Sequence, residues 1–235
     1  MKWIVSFFIT FLSTTAMAQL QTDTYETPMG TLKITYITHA SILFQIDHKN
    51  IFVDPFTNQK VDYAQFPKAD LLLITHEHYD HLDPQAYGKI LTPQTHVITT
   101  KTVAEKGLFK SQILNNGEST QWQGIKISAV PAYNIEHKRP DGAFYHPKGI
   151  GNGYVLAFGT FRVYIAGDTE NIPEMRSLGK IDVAFLPKNL PYTMSDEQFI
   201  DAAKMIHPHV LYVYHYFSAD KEALRKALPK DIILK

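Results

Sequence analysis

Short apolar runs, some alternating with polar residues and some continuous, recur along the chain and are separated by turn residues. Five come first: residues 31–37 (TLKITYI), 41–47 (SILFQID), 50–54 (NIFVD), 70–75 (DLLLIT) and 96–100 (HVITT). Breaks such as Asp47-His48-Lys49-Asn50 set them apart as strands. A second set lies at 125–130, 153–158, 161–167, 181–186 and 210–215. Helical patterns fall between strands at 83–91, 101–108 and 195–207, and another, 219–228, lies near the C-terminus. The helix at 195–207 opens on Ser195 with Asp196 and Glu197 behind it, which suits a helix N-terminus. Strands first, then strand alternating with helix, predict a layered α/β (α+β) domain whose sheet faces must be covered. Residues 70–74 and 181–186 are almost wholly apolar, as strands buried on both faces are. Polar residues directly after such a strand emerge at the sheet's end, the natural place for chemistry.

The N-terminus follows a different pattern. Lys2, an apolar run from Trp3 to Leu12 and the small-residue end Ala16-Met17-Ala18 occur in the order of a secretory signal peptide. Cleavage is expected after Ala18, giving an exported protein, periplasmic or secreted. No cysteine follows the apolar run to accept a lipid, so no stable membrane association is expected after cleavage. No Pro/Gly/Ser-rich or charged linker interrupts the rest, so residues 19–235 are read as one domain. The chain has 23 basic and 23 acidic side chains, and removing the leader takes away only Lys2. A nearly neutral chain without a basic stripe lacks the footprint of a nucleic-acid binder, and a small-molecule substrate is the expected partner. With no cysteine, disulfides, thiolate ligands and thiol nucleophiles are excluded. The sequence carries no mark of an oligomeric state.

Against this background residues 75–83, THEHYDHLD, place three histidines and two aspartates in nine positions directly after the buried strand DLLLIT. Positions two apart in a still-extended segment point the same way, so His76 and His78 can converge on one ion. Asp80 and His81 follow where the chain turns and can reach a second. Imidazole and carboxylate without sulfur suit Zn, Mn or Fe. The expected cofactor is two divalent ions, with zinc first.

The order His76-x-His78-x-Asp80-His81 resembles the signature of the metallo-β-lactamase superfamily. The resemblance extends over most of the chain: residues 36–55, ending in Asp54-Pro55, look like its opening hairpins, residues 164–175 look like the segment supplying a metal-bridging aspartate, here Asp168, and VYHYF (213–217) looks like the final loop, with His215 as a ligand. VPAYN, HPKG, AGDT and PYTM are similar to a branch of lactonase-like and phosphodiesterase-like hydrolases. The resemblance implies a four-layer αββα sandwich with the metal site at one edge between the sheets. Most relatives supply a third histidine for the first metal just after Pro-x-Tyr, where this chain has Asn134. His146, within HPKGIG, is favoured instead, with His137 or no histidine as the alternatives.

The implied reaction is attack by a metal-bridging hydroxide on an ester-like bond of a lactone or phosphodiester, with Asp80 and Asp168 holding the ions. β-Lactam hydrolysis is the rival enzyme reading, although Asp168 stands where penicillin-hydrolysing members would carry cysteine or serine. A metal-binding periplasmic protein without catalysis is the rival from another class. His39 falls near the site and is a candidate for substrate contact or support of a ligand, against a purely structural half-buried histidine. Asp54 is either an acceptor for a ligand imidazole or a strand-end turn. Tyr79 is a candidate pocket residue, and Lys188 and Asn189 are candidates for holding a substrate anion. His48, His96, His207 and His209 are read as surface or structural.

Overall fold

The computed structural model describes residues 20–235, and the expected leader at 1–18 lies outside the described residues. Two seven-stranded sheets are built in near-sequential order among the described residues. The first contains β1 (Gln21–Thr27), β2 (Gly30–Thr38), β3 (Ser41–Ile46), β4 (Lys49–Val53), β5 (Leu71–Leu73), β6 (His96–Thr99) and β7 (Gln112–Ile113). It is antiparallel from β1 to β4 and parallel from β4 to β7. The second contains β8 (Ser119–Trp122), β9 (Ile125–Ala132), β10 (Gly151–Phe158), β11 (Phe161–Ile165), β12 (Val183–Pro187), β13 (Val210–Tyr214) and β14 (Ile233–Leu234). It too starts antiparallel and turns parallel, at β11. Parallel neighbours need crossovers, and α1 (Pro84–Ile90), α2 (Lys101–Ala104), α3 (Asp196–Ile206) and α4 (Lys221–Ala227) lie in them.

The two-residue period of the strands separates the layers. In β5, Leu71 and Leu73 enter the core between the sheets, while Leu72 enters a second core that also contains Ala86, Tyr87 and Ile90 of α1. In β12 and β13, Val183, Phe185, Val210, Tyr212 and Tyr214 face the inter-sheet core. Ala184, Leu186, Leu211 and Val213 face a third core, where Phe199, Ala202, Ala203 and Ile206 of α3 and Leu224 of α4 pack. The helical residues recur at three- and four-residue spacing, so one stripe of α3 is apolar. The result is the expected αββα sandwich.

Several expected boundaries shift for physical reasons. The helix expected over 101–108 is one turn, Lys101–Ala104, and Gly107 just beyond takes φ +69°. α3 opens with a reciprocal capping box between Ser195 and Gln198 and closes where His207 turns left-handed at φ +51°. β1 and β8 were not foreseen, because QTDTYET and STQW are largely polar; both are edge strands, whose outer sides need no apolar residues.

Candidate metal centre

Strands β4, β5, β9, β11, β12 and β13 end toward one edge of the sandwich, and the residues that follow them meet there. Asp54 follows β4, His76 to His81 follow β5, Asn134 follows β9, Asp168 follows β11, Asn189 follows β12 and His215 follows β13. Carboxyl ends of parallel strands are where α/β sheets place ligands. Left-handed backbone at His39 (φ +50°), Asp54 (φ +42°) and His215 (φ +50°) turns the chain sharply at this edge. Such conformations in residues other than glycine cost energy and persist where the surroundings over-determine them. Gly167, at φ +67°, lets β11 turn into Asp168, and a Cβ there would lie 2.6 Å from the Asn152 carbonyl oxygen.

The predicted ligands form overlapping groups whose donor atoms lie within 4.8 Å of one another: His76, His78 and His146; His76, His81 and Asp168; and Asp80, His81 and His215 together with His39. His146 Nε2 lies 3.2 Å from His78 Nδ1. Zn–N bonds of about 2.0–2.1 Å in a tetrahedron place two nitrogens about 3.3 Å apart, so this gap fits a shared ion. Asp168 joins the groups: its Oδ2 is 3.3 Å from His146 Nε2 and 3.2 Å from His215 Nε2, and its Oδ1 is 3.3 Å from His81 Nε2. The Nε2 atoms of His76, His81 and His215 and Oδ1 of Asp168 are buried without a hydrogen-bond partner among the described residues. Buried orphans of this kind cost free energy unless something pairs with them, and nitrogen lone pairs converging on carboxylate oxygens are a donor set for divalent cations.

The tautomers follow from the surroundings. Asp54 is fully buried and accepts from the Thr75 amide at 2.8 Å, the Thr75 hydroxyl at 2.6 Å and His81 Nδ1 at 2.8 Å. His81 therefore carries its proton on Nδ1 and turns Nε2 inward. Because the Thr75 hydroxyl donates to Asp54, its oxygen accepts from His76 Nδ1 at 3.0 Å, which leaves His76 Nε2 free as well. One carboxylate orients two candidate ligands, so the acceptor reading of Asp54 prevails over the simple turn.

Asn134 occupies the place of the missing histidine and works through His146. Its Nδ2 donates to Glu170 Oε1 at 2.9 Å and to the Tyr192 carbonyl at 2.8 Å, which fixes the amide's orientation. Its Oδ1 then accepts from the His146 amide at 2.7 Å and from His146 Nδ1 at 2.8 Å, presenting Nε2 to the cluster. His137 is directed elsewhere, with Nδ1 2.7 Å from Glu170. Glu170, which the sequence reading missed, is fully buried and also accepts the amides of Ile135, Glu136 and His137. A charged residue two positions after a candidate ligand, in AGDTE, was the available signal.

Charge states agree with this arrangement. Burial, then the neighbouring imidazole of His81, holds His76 well below the usual histidine range, and burial and His146 lower His78. Both are neutral, the form a metal requires. Burial alone would raise Asp168, but the surrounding imidazoles of His215, His81 and His146 outweigh it and hold its carboxyl well below the usual carboxylate range. Burial would likewise lower His81, yet Asp168 and Asp54 push it well upward, marking a place where the carboxylates favour positive charge.

The remaining candidates separate clearly. His39 lies behind Asp80, its Nε2 2.9 Å from Asp80 Oδ2, and lines neither of the two cavities at the cluster. Tyr79 and Asn189 line the larger cavity. Lys188 is paired with Asp196 at 2.5 Å and lines neither.

An αββα sandwich with a histidine–aspartate cluster suited to metal at the edge between its sheets defines a class, the metallo-hydrolases of this fold. The chain belongs to the metallo-β-lactamase superfamily: the model for the Beta-lactamase superfamily domain matches residues 33–215. The UPF0173 metal-dependent hydrolase of Thermus thermophilus is 31% identical over 191 residues, covering 79% of this chain and 84% of its own. A UPF0173 metal-dependent hydrolase of Flavobacterium johnsoniae is 32% identical over 197 residues, covering 79% and 84%. The crystal structure of a Parabacteroides distasonis protein named as a metal-dependent hydrolase is 44% identical, with a TM-score of 0.86 over 92% of this chain and 98% of that one. The protein is a metal-dependent hydrolase.

Proposed function

We propose that this hydrolase is dinuclear and cleaves an ester-like bond, in a lactone or a phosphodiester. The observation that carries the reading is the position of Asp168 Oδ2, within 3.3 Å of both His146 Nε2 and His215 Nε2. A carboxylate shared between two donor groups suits two ions better than one. His76, His78 and His146 would hold the first, Asp80, His81 and His215 the second, and Asp168 both. Bound divalent ions, zinc foremost and Mn or Fe by the same donor chemistry, supply Lewis acidity and lower the pKa of water toward neutrality. The chain fixes the ligands in place: Asp54 orients His76 and His81, Asn134 orients His146, and His39 holds Asp80. Asn189 and Tyr79 wall the larger cavity, where they can contact a small-molecule substrate.

Export is part of the proposal and rests on the order of residues 2–18. No helix among the described residues is long and apolar enough to cross a membrane. The test is elemental analysis of the leader-free protein after dialysis against metal-free buffer, followed by turnover assays on simple lactones, a bis-aryl phosphate and a chromogenic cephalosporin. About two ions per chain with turnover of a lactone or the phosphodiester is expected. One ion per chain would overturn the dinuclear reading, and turnover of the cephalosporin alone would replace the substrate class with β-lactams.

A further inference from the structure

Two lobes of one cleft meet at the metal ligands. The smaller, about 190 Å³, lies on the His76–His78–His146 side, with an apolar wall that includes Ala132, Pro147 and Ile150. The larger, about 340 Å³, lies on the Asp80–His215 side and is rimmed by Tyr79, Tyr192 and Phe217. Arg139 and Tyr145 line both.

Arg139 is held in a hairpin at the cleft, where its amide donates to the Ala143 carbonyl at 2.7 Å and its carbonyl accepts from the Gly142 amide at 3.0 Å. Its Nη2 donates to the Tyr145 carbonyl at 3.0 Å, which ties the side chain back to the residue it shares the cleft with. A guanidinium has five N–H donors in a planar fork, so most remain to be used. Arg139 makes no ion pair among the described residues. Lys138, Lys148 and Lys188 lie outside both lobes, Lys138 over the Phe144 ring, Lys148 paired with Glu174 at 2.8 Å and Lys188 with Asp196 at 2.5 Å. Among the described residues, Arg139 is thus the one lysine or arginine that lines the cleft.

We propose that Arg139 selects substrates carrying a carboxylate away from the scissile bond. The fork matches two carboxylate oxygens, a pairing with geometric as well as electrostatic specificity. Glu77 also lines the smaller lobe, its carboxylate accepting from the Thr102 hydroxyl at 3.1 Å. Its negative charge favours a singly charged carboxylate over a dianionic phosphate at the same place. The lobe's size agrees, since an apolar cavity of about 150 Å³ accepts a benzene ring, and a short carboxylated chain is no larger. The inference rests on the hydrolase reading above and assigns a specificity determinant to the same site.

The test compares wild type, Arg139→Gln and Arg139→Lys, each loaded with zinc. Calorimetry measures glutarate, which offers a second carboxylate to Arg139, against butyrate, which lacks it. Kinetics compare γ-valerolactone with γ-butyrolactone bearing a 4-carboxylate. Wild type is expected to bind glutarate about tenfold more tightly than butyrate, and Arg139→Gln to lose most of that difference while Arg139→Lys keeps part of it. On the lactones the loss should fall on KM for the carboxylated member. Equal binding of the two acids by wild type, or equal weakening of both by Arg139→Gln, would overturn the proposal. Arg139-dependent glutarate binding without turnover of either lactone would support the carboxylate site and count against lactones as the substrate class.

Discussion

The backbone amide of His215 donates to the carbonyl oxygen of His39 at 2.7 Å, joining the end of β13 in one sheet to the β2–β3 turn of the other. Both residues have left-handed backbone, φ +50° in each, and their rings lie 4.0 Å apart. Through this contact the position of one candidate ligand, His215, is tied to the residue that holds another, Asp80. Burial lowers the His39 pKa, so its ring is neutral at pH 7 and gives Asp80 a hydrogen bond without a full positive charge beside the candidate ligands.

His39→Ala should therefore weaken metal binding without unfolding the protein. Removing a group that orients a metal ligand typically costs about 10–100-fold in affinity or activity. Competition with a chromogenic chelator should show the loss in one class of sites, the other retaining its affinity. An equal loss in both would assign His39 a role in the general fold.

Asn134→Ala should act on the opposite side. It removes the acceptor for His146 Nδ1 and the donor to Glu170, so the ring is free to rotate and Nε2 is no longer presented. Asn134→Asp keeps the acceptor and sets a carboxylate against Glu170, repelling it. Metal content at limiting zinc is expected to fall for both variants, more steeply for Asn134→Ala, whereas His137→Ala should leave it near wild type. A fall with His137→Ala comparable to that with His146→Ala would overturn the placement of the third histidine.

The sequence displayed much of this site because its chemistry is local. His76, His78, Asp80 and His81 lie within six positions after a strand whose apolar run announces burial, and Asp168 and His215 follow two more such strands. The layers were legible for the same reason, since DLLLIT and IDVAFL could only be covered on both faces. The supporting network was not legible. Asn134 lies 12 residues from His146 and 36 from Glu170, and a hydrogen bond across that span leaves no periodic trace. Arg139 was invisible for a related reason: its place in the wall of the cleft comes from a hairpin in a loop whose shape composition does not specify. The polar edge strands β1 and β8 were missed because edge position, which makes their polarity acceptable, belongs to the assembled sheet.

Asp54→Asn tests the shared orientation of His76 and His81. The amide can accept through one oxygen, but its NH2 would face either the Thr75 amide or His81 Nδ1, both of which donate. One buried donor is left unpaired, at a cost of about 1–3 kcal/mol. His81 is then driven toward the tautomer with its proton on Nε2, where an ion should sit. Lower thermal stability together with loss of the second ion is expected. Retention of two ions at wild-type affinity would show that Asp54 serves only the turn.

Glu170 gives a prediction in pH. Burial would raise its pKa, but hydrogen bonds from Asn134 and from the amides of His137, Ile135 and Glu136 outweigh it and hold the carboxylate below its ordinary value of 4.5. A carboxyl depressed on folding contributes stability that is fully present above the unfolded pKa and is lost as pH falls through the folded one. The contribution should be constant near pH 7 and decline below about pH 4.5, where the unfolded chain begins to take up the proton first. Glu170→Gln places an NH2 among groups that all donate, and a destabilisation of about 2–4 kcal/mol at pH 7 is expected in urea titrations. The difference between variant and wild type should shrink as the pH is lowered toward 3, because the native carboxyl then becomes a neutral group with a proton of its own to place. A difference that stays constant from pH 7 to pH 3 would mean that the loop from Tyr133 to His137, and with it Asn134 and His146, is held by packing and not by the Glu170 charge.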